Sequence, residues 1–332
     1  MEATDATVKG PPATAEAADQ RPRVALVLGA GGARGLAHVG AIQTIERRGY
    51  RIAAIGGSSM GALVGGIYAA GRLADYADWV VTLERAGVLK LLDFTFGNPG
   101  LIKGERIIEA LREMVGDHRI EDLPLPYLAV AVDLRAQREI WLTRGPLFDA
   151  IRASIAIPMV FTPHVINGRE LVDGGLLAPV PMAATRLAHT DLTIAVDVNA
   201  RISGQHFSPP NQSAADGETP PVAEDAAPEG LRARLTSMIE GFTERSRAPE
   251  RPQSPGLMQL MAKSLDTMQM QIARVQLAMD PPDVLVKVPA DTALFYEFWR
   301  AKELIALGRQ AATEAIDAFE AQHPVLAGRR PQ

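Results

Sequence analysis

Gly57-Ser58-Ser59-Met60-Gly61 holds what an acyl-transfer nucleophile needs, in the spacing G-x-S-x-G. A serine hydroxyl attacks a carbonyl only when its Oγ stands clear of the backbone and a base can take its proton. A sharp turn between a strand and a helix meets the first condition by forcing the serine into a strained backbone region. Glycines two before and two after let neighbouring main chain approach without a Cβ clash. Only Ser59 fits that register, since Ser58 has Gly56 behind it but Met60 ahead. The same letters admit a second reading. Residues 52–71 carry no charge, lie between Arg51 and Arg72, and set Gly57, Gly61 and Gly65 at G-x-x-x-G spacing, as a membrane span would. Six glycines and two serines in those twenty residues argue for the turn.

An attacked carbonyl also needs donors for its developing oxyanion. Gly29-Ala30-Gly31-Gly32-Ala33-Arg34-Gly35 can supply them, because successive N–H groups at a helix start converge on one point and glycines let the substrate approach. A dinucleotide loop would need glycine where Arg34 stands and an acidic residue where Gly56 and Gly57 stand; a Walker loop would need Gly-Lys-Ser/Thr. For the base, His38 lies inside the first helix, where a packed histidine is the plainer reading, and His189 reads as a helix-end surface residue. His206 falls in a linker-like stretch and His323 near the end of the chain. Asp173, followed by Gly174 and Gly175, is the other candidate: a desolvated pocket would raise its pKa toward the working pH. A turn-stabilising aspartate is the alternative reading of that residue.

These groups are carried by recognisable elements. Val24–Leu28 reads as a buried strand, followed by the glycine loop and a helix from Leu36 to Arg48. The elbow's own strand and helix follow, so the chain opens βαβα with a parallel strand pair. Tyr127–Leu134 and Glu139–Thr143 read as paired strands. Asn167-Gly168 marks a hairpin turn between Val165 and Val172. Asp191–Asn199 and Asp283–Val288 read as further strands, and Phe295–Ala318 as a closing helix or helix pair. Within residues 203–256, rich in Pro, Ser, Gly and acidic residues, Leu231–Phe242 has one apolar helical face. In the helix Leu257–Met279, the stripe Met261, Leu265, Met268, Ile272, Val275 and Met279 reads as core-facing, with a lid or membrane-contacting cap as the alternative.

Of the 332 residues, 47% are hydrophobic and 22% charged, a globular balance. A net charge of −5 without a basic block argues against nucleic acid as a partner. The absence of cysteine excludes disulfides, thiolate metal sites and a catalytic thiol. Residues 1–22 have no apolar segment of signal-peptide type and read as a disordered tail, so the cytoplasm is the expected compartment.

Four blocks in order resemble the patatin-like phospholipase family of the compact bacterial type. They are Gly29–Gly35 for G-x-G-G-x-[RK]-G, Gly57–Gly61 for G-x-S-x-G, Arg152-Ala153-Ser154-Ile155-Ala156-Ile157-Pro158 for R-A-S-x-x-x-P, and Asp173-Gly174-Gly175 for D-G-[GA]. The segment from about 282 to 310 is similar to the family's closing strand and helices. The resemblance implies a three-layer α/β/α fold with a central, mostly parallel sheet. It implies a Ser59–Asp173 dyad without histidine, and an oxyanion hole drawn from Gly31, Gly32, Ala33 and Arg34 and centred on the first two N–H groups. Gly29, Gly35, Gly57, Gly61, Gly174 and Gly175 would support it. It further implies hydrolysis of lipid acyl esters with no metal and no cofactor. The expected layout is a tail over 1–22, a catalytic core over 23–202, an insertion over 203–256, and closing elements over 257–332. A lipid-binding or regulatory module and an acyltransferase are the alternatives, with peripheral membrane contact as an added expectation.

Overall fold

The computed structural model describes residues 21–93, 100–182, 188–201 and 257–324. The expected tail over 1–22 (but for its last two residues), the insertion over 203–256 with its Leu231–Phe242 segment, and His206 lie outside the described residues. The chain divides into two units, Met1–Phe207 with Asp266–Gln332, and Ser208–Leu265. Of the second, only residues 257–265, the start of a helix, are described.

Apolar, β-branched runs form the strands that carry the site. β1 (Arg23–Leu28), β2 (Arg51–Ser58), β4 (Tyr127–Asp133) and β9 (Leu192–Ala200) are buried along almost their whole length, as expected for strands covered on both faces. With β5 (Arg138–Leu142), β7 (His164–Ile166), β8 (Arg169–Asp173) and β10 (Val284–Pro289) they build an eight-stranded sheet. Its order is β10-β9-β1-β2-β4-β8-β7, with β5 also on β4. The pairs from β10 through β4 are parallel, while β5, β7 and β8 pair antiparallel. Short β3 (Gly100–Ile102) and β6 (Met159–Phe161) form a separate parallel pair. Asn167 and Gly168 both take positive φ, 51° and 73°, as the hairpin between β7 and β8 requires.

Alternating side chains divide between the sheet's faces. Leu26, Leu28, Ile55, Ile194 and Val196 pack beneath α1 (Ala37–Arg47), α2 (Met60–Ala69), α6 (Leu147–Ser154) and the closing helix, while Val27 and Ala195 face the other way. α3 (Leu73–Val80), α4 (Arg85–Lys90) and α5 (Glu105–Val115) link β2 to β4. The closing helix begins at Ala301, later than Phe295, and runs to Gln322; a 3-10 turn over Phe298–Arg300 precedes it. We number it α8, and the helix Leu257–Met279 α7. Ala273 of α7 is buried against Val27, Val180 and Ala195, with Leu277 beside it. A mixed α/β fold with helices on both faces of a mostly parallel sheet is the result.

The apolar stripe of α7 faces the core only in part, with Leu265 and Ile272 half-buried. Met268, Val275 and Met279 are exposed, by 81% at Met279, and the packed side presents Ala273 with Gln276, whose Nε2 donates to Leu177 O at 2.9 Å. A small residue lets the helix lie close to the sheet, and the glutamine satisfies a loop carbonyl. Periodicity located the helix and assigned its buried side only in part. The membrane-span reading of 52–71 also falls, since those residues form β2, a turn and α2. Among the described residues no helix is long and apolar enough to cross a membrane.

Candidate active site

β1 lies between β2 and β9 in register, with Leu28 opposite Gly57 on one side and Val196 on the other. Their carboxyl ends therefore open together, where connections from β1 leave toward β2 and those from β9 toward β10. In open parallel sheets such a divergence makes the crevice that receives ligands.

Ser59 stands at the end of β2 with φ 54° and ψ −125°, one of four described non-glycine residues with positive φ. Strain of this kind persists only where the surroundings enforce it. Here they do: a Cβ at Gly57 would lie 2.2 Å from Gly61 C, and one at Gly61 would lie 2.1 Å from Leu28 O. The Ser59 N–H donates to Ser154 Oγ at 3.0 Å, and Ser154 Oγ donates to Val130 O at 2.6 Å. Ser154 thus pins the Ser59 backbone to β4, the strand between β2 and β8. Arg152, two residues earlier, braces the surroundings by donating to Lys103 O and to Thr162 O and Oγ1.

Ser59 Oγ donates to Asp173 Oδ2 at 2.6 Å, and both residues are nearly excluded from solvent, at 3% and 2% exposure. Asp173 ends β8, paired with Ala131, while Ser58 pairs with Val130 one residue away on β4. Gly174 permits the approach, since a Cβ there would lie 2.2 Å from Val130 O. The other carboxylate oxygen accepts the Gly175 N–H at 2.7 Å. Burial pushes the Asp173 pKa up to about 7, partly offset by the Ser59 hydroxyl and the Gly175 N–H.

The glycine loop lies between these two residues' neighbours. A Cβ on Gly175 would meet Ala30 at 2.8 Å, and one on Gly35 would meet Met60 at 2.4 Å. Gly32 takes φ +53° with Phe295 O only 2.5 Å from an ideal Cβ, so no other residue fits. The N–H groups of Gly29, Ala30 and Ala33 donate to Val196 O, Pro179 O and Phe295 O. Ala33 therefore has no N–H to spare for a substrate. Gly31 and Gly32 enter the 3-10 turn Gly32–Leu36 without an acceptor among the described residues, as the first amides of a helix do. The Arg34 side chain is buried and its Nε donates to Asn199 Oδ1 at 2.9 Å.

No histidine bonds to Ser59 among the described residues. His38 is fully buried, its Nε2 on Gly29 O at 2.8 Å, and burial lowers its pKa to about 4. His189 and His323 are exposed. Sequence reasoning gave no role to Ser154 or Asn199. Ser154 carried a motif signal, but Asn199, the penultimate residue of a strand, carried none.

These elements bring together a buried serine on a strained strand–helix turn, a buried aspartate hydrogen-bonded to it, and a glycine loop beside them. The patatin-like phospholipase family model matches residues 26–186, which contain that serine, aspartate and loop. The chain is 42% identical over 333 residues to Rv1063c, an uncharacterized NTE family protein of Mycobacterium tuberculosis, covering 90% of this chain and 92% of that one. It is 32% identical over 185 residues to the lysophospholipase NTE1 of Yarrowia lipolytica, covering 53% of this chain but 13% of the fungal protein. It is 31% identical over 186 residues to patatin-like phospholipase domain-containing protein 6 of Mus musculus, covering 54% and 14%. The chain belongs to the patatin-like phospholipase family.

Proposed function

We propose that the protein is a serine lipid acyl hydrolase that works through a Ser59–Asp173 dyad. The observation that carries this reading is the 2.6 Å hydrogen bond from Ser59 Oγ to a carboxylate whose burial raises its proton affinity. Asp173, ionised, takes the Ser59 proton as Oγ attacks the ester carbonyl. The Gly31 and Gly32 N–H groups receive the tetrahedral oxyanion. Collapse expels the alcohol or lysolipid, which takes the proton from Asp173. Water, deprotonated by Asp173, then attacks the acyl-serine through the same oxyanion position, and Ser59 leaves with the proton. Every step uses this chain's own side chains and amides.

The fungal relative's name supports a lysophospholipid or phospholipid substrate. The catalytic core on this reading is residues 23–202, completed by residues 257–332. Exposed Met268, Val275 and Met279 on α7 support peripheral contact with a lipid surface, which Met268→Glu with Val275→Glu should weaken in vesicle flotation. The hydrolase reading is tested by incubating purified protein and a Ser59→Ala control with lysophospholipid, phospholipid and monoacylglycerol. Fatty acid release that depends on Ser59 is expected. Release undiminished in the control, or none from any ester, overturns the reading.

A further inference from the structure

The oxyanion loop is held from behind by two side chains. Asn199 Nδ2 donates to Ala30 O at 2.7 Å, and Arg34 Nε donates to Asn199 Oδ1 at 2.9 Å. A carboxamide has one accepting and one donating end; a guanidinium N–H on its oxygen leaves the NH2 end for Ala30. Arg34 is itself fixed, with Nη1 on Ala293 O at 3.0 Å and Ala290 O at 3.3 Å, and the Asn199 N–H is tied to Asp197 Oδ1 at 2.9 Å. Arg34 and Asn199 are buried, at 5% and 8% exposure.

The geometry of a trans peptide gives this clamp its consequence. The Ala30 carbonyl and the Gly31 N–H share one plane and point in opposite directions, so whatever fixes the first aims the second. Glycine at 31 would tolerate the rotated peptide, so local backbone preference does not select the orientation. In the rotated form the Ala30 carbonyl dipole would face the oxyanion in place of a donor.

We propose that Asn199, oriented by Arg34, is a positioning residue that holds the Ala30–Gly31 peptide with its N–H toward the developing oxyanion. The proposal rests on the hydrolase reading above. It gives the motif arginine a task through its side chain: Arg34 sets which end of Asn199 meets the loop. Because the oxyanion exists only during reaction, the clamp acts on kcat and leaves substrate binding alone.

Asn199→Asp tests this directly. The substitution keeps the shape and offers Arg34 a carboxylate, but sets an acceptor against the Ala30 carbonyl. With p-nitrophenyl butyrate, kcat should fall on the order of 100-fold, the loss typical of one oxyanion donor, with KM within about twofold. The inhibition constant of an alkyl trifluoromethyl ketone, which forms an oxyanion on the serine, should weaken in step with kcat. That of a long-chain alcohol, which carries no oxyanion, should not move. Asn199→Ala, lacking both groups, should show the same split and serves if the aspartate variant does not fold. Wild-type protein without esterase activity strikes the hydrolase reading instead. Active wild type with kcat of Asn199→Asp within threefold overturns the clamp. So does a loss carried by KM, or misfolding of both variants.

Discussion

Replacing Asp173 by asparagine should abolish turnover and strengthen the fold, and the strengthening should depend on pH. In the unfolded chain this carboxyl titrates near 3.8, and in the folded protein burial lifts it to about 7. Between those values the unfolded chain is ionised while the folded protein holds a proton, so stability falls as pH rises through this window and stays low above it. A displacement of about three pH units corresponds to about 4 kcal/mol above pH 7, and to about 1–2 kcal/mol at pH 5. Asparagine escapes the penalty with its partners intact: Oδ1 can accept the Gly175 N–H and Nδ2 can donate to Ser59 Oγ, where the carboxylate now makes bonds of 2.7 and 2.6 Å. Urea unfolding of both proteins at pH 5 and pH 8 isolates this group, because every other titration is common to the pair. Asp173→Asn should be the more stable by about 1–2 kcal/mol at pH 5 and about 4 kcal/mol at pH 8, with kcat lowered at least about 100-fold, the lower range for a lost general base. A stability difference that is the same at both pH values, or a kcat lowered by less than about 100-fold, would refute the reasoning.

The pH profile of kcat/KM should rise through a single ionisation at about pH 7, because the base must be ionised to accept the Ser59 proton; a profile flat from pH 5 to 8 would contradict that. Ser154→Ala should lower kcat and cost about 1–3 kcal/mol in urea unfolding, since it leaves the buried Ser59 N–H without an acceptor. Ser154→Thr, which keeps the hydroxyl, should recover part of the stability. Gly32→Ala should fail to accumulate as folded protein or lose at least about 2 kcal/mol, through positive φ combined with contact on Phe295.

The elements that could be read from the sequence were those whose cause is local. Val24–Leu28 reads as a buried strand because it is apolar and ends in glycines, and Asn167-Gly168 reads as a turn because both residues tolerate positive φ. The serine turn is legible from its G-x-S-x-G spacing, although only Gly57 is required by near neighbours and Gly61 by the Leu28 carbonyl of β1. Three-residue strands such as β3 and β6 carry too little pattern to be seen. The α7 stripe misled in part because helical periodicity shows that a helix has sides, whereas Ala273 and Gln276 meet a surface set by β1, β9 and the loop at Leu177. Asn199 was invisible because its partners, Ala30 and Arg34, lie 169 and 165 residues away. The Ser59–Asp173 pairing was reached through motif order, for nothing local in Asp173-Gly174-Gly175 marks its distance from Ser59.

Covalent trapping tests the central claim most directly. A fluorophosphonate should add once per chain, and peptide mapping should place the adduct on Ser59. Labelling should vanish in Ser59→Ala and slow markedly in Asp173→Asn. An adduct on another residue, or labelling at an unchanged rate in Asp173→Asn, would contradict a serine activated by that aspartate.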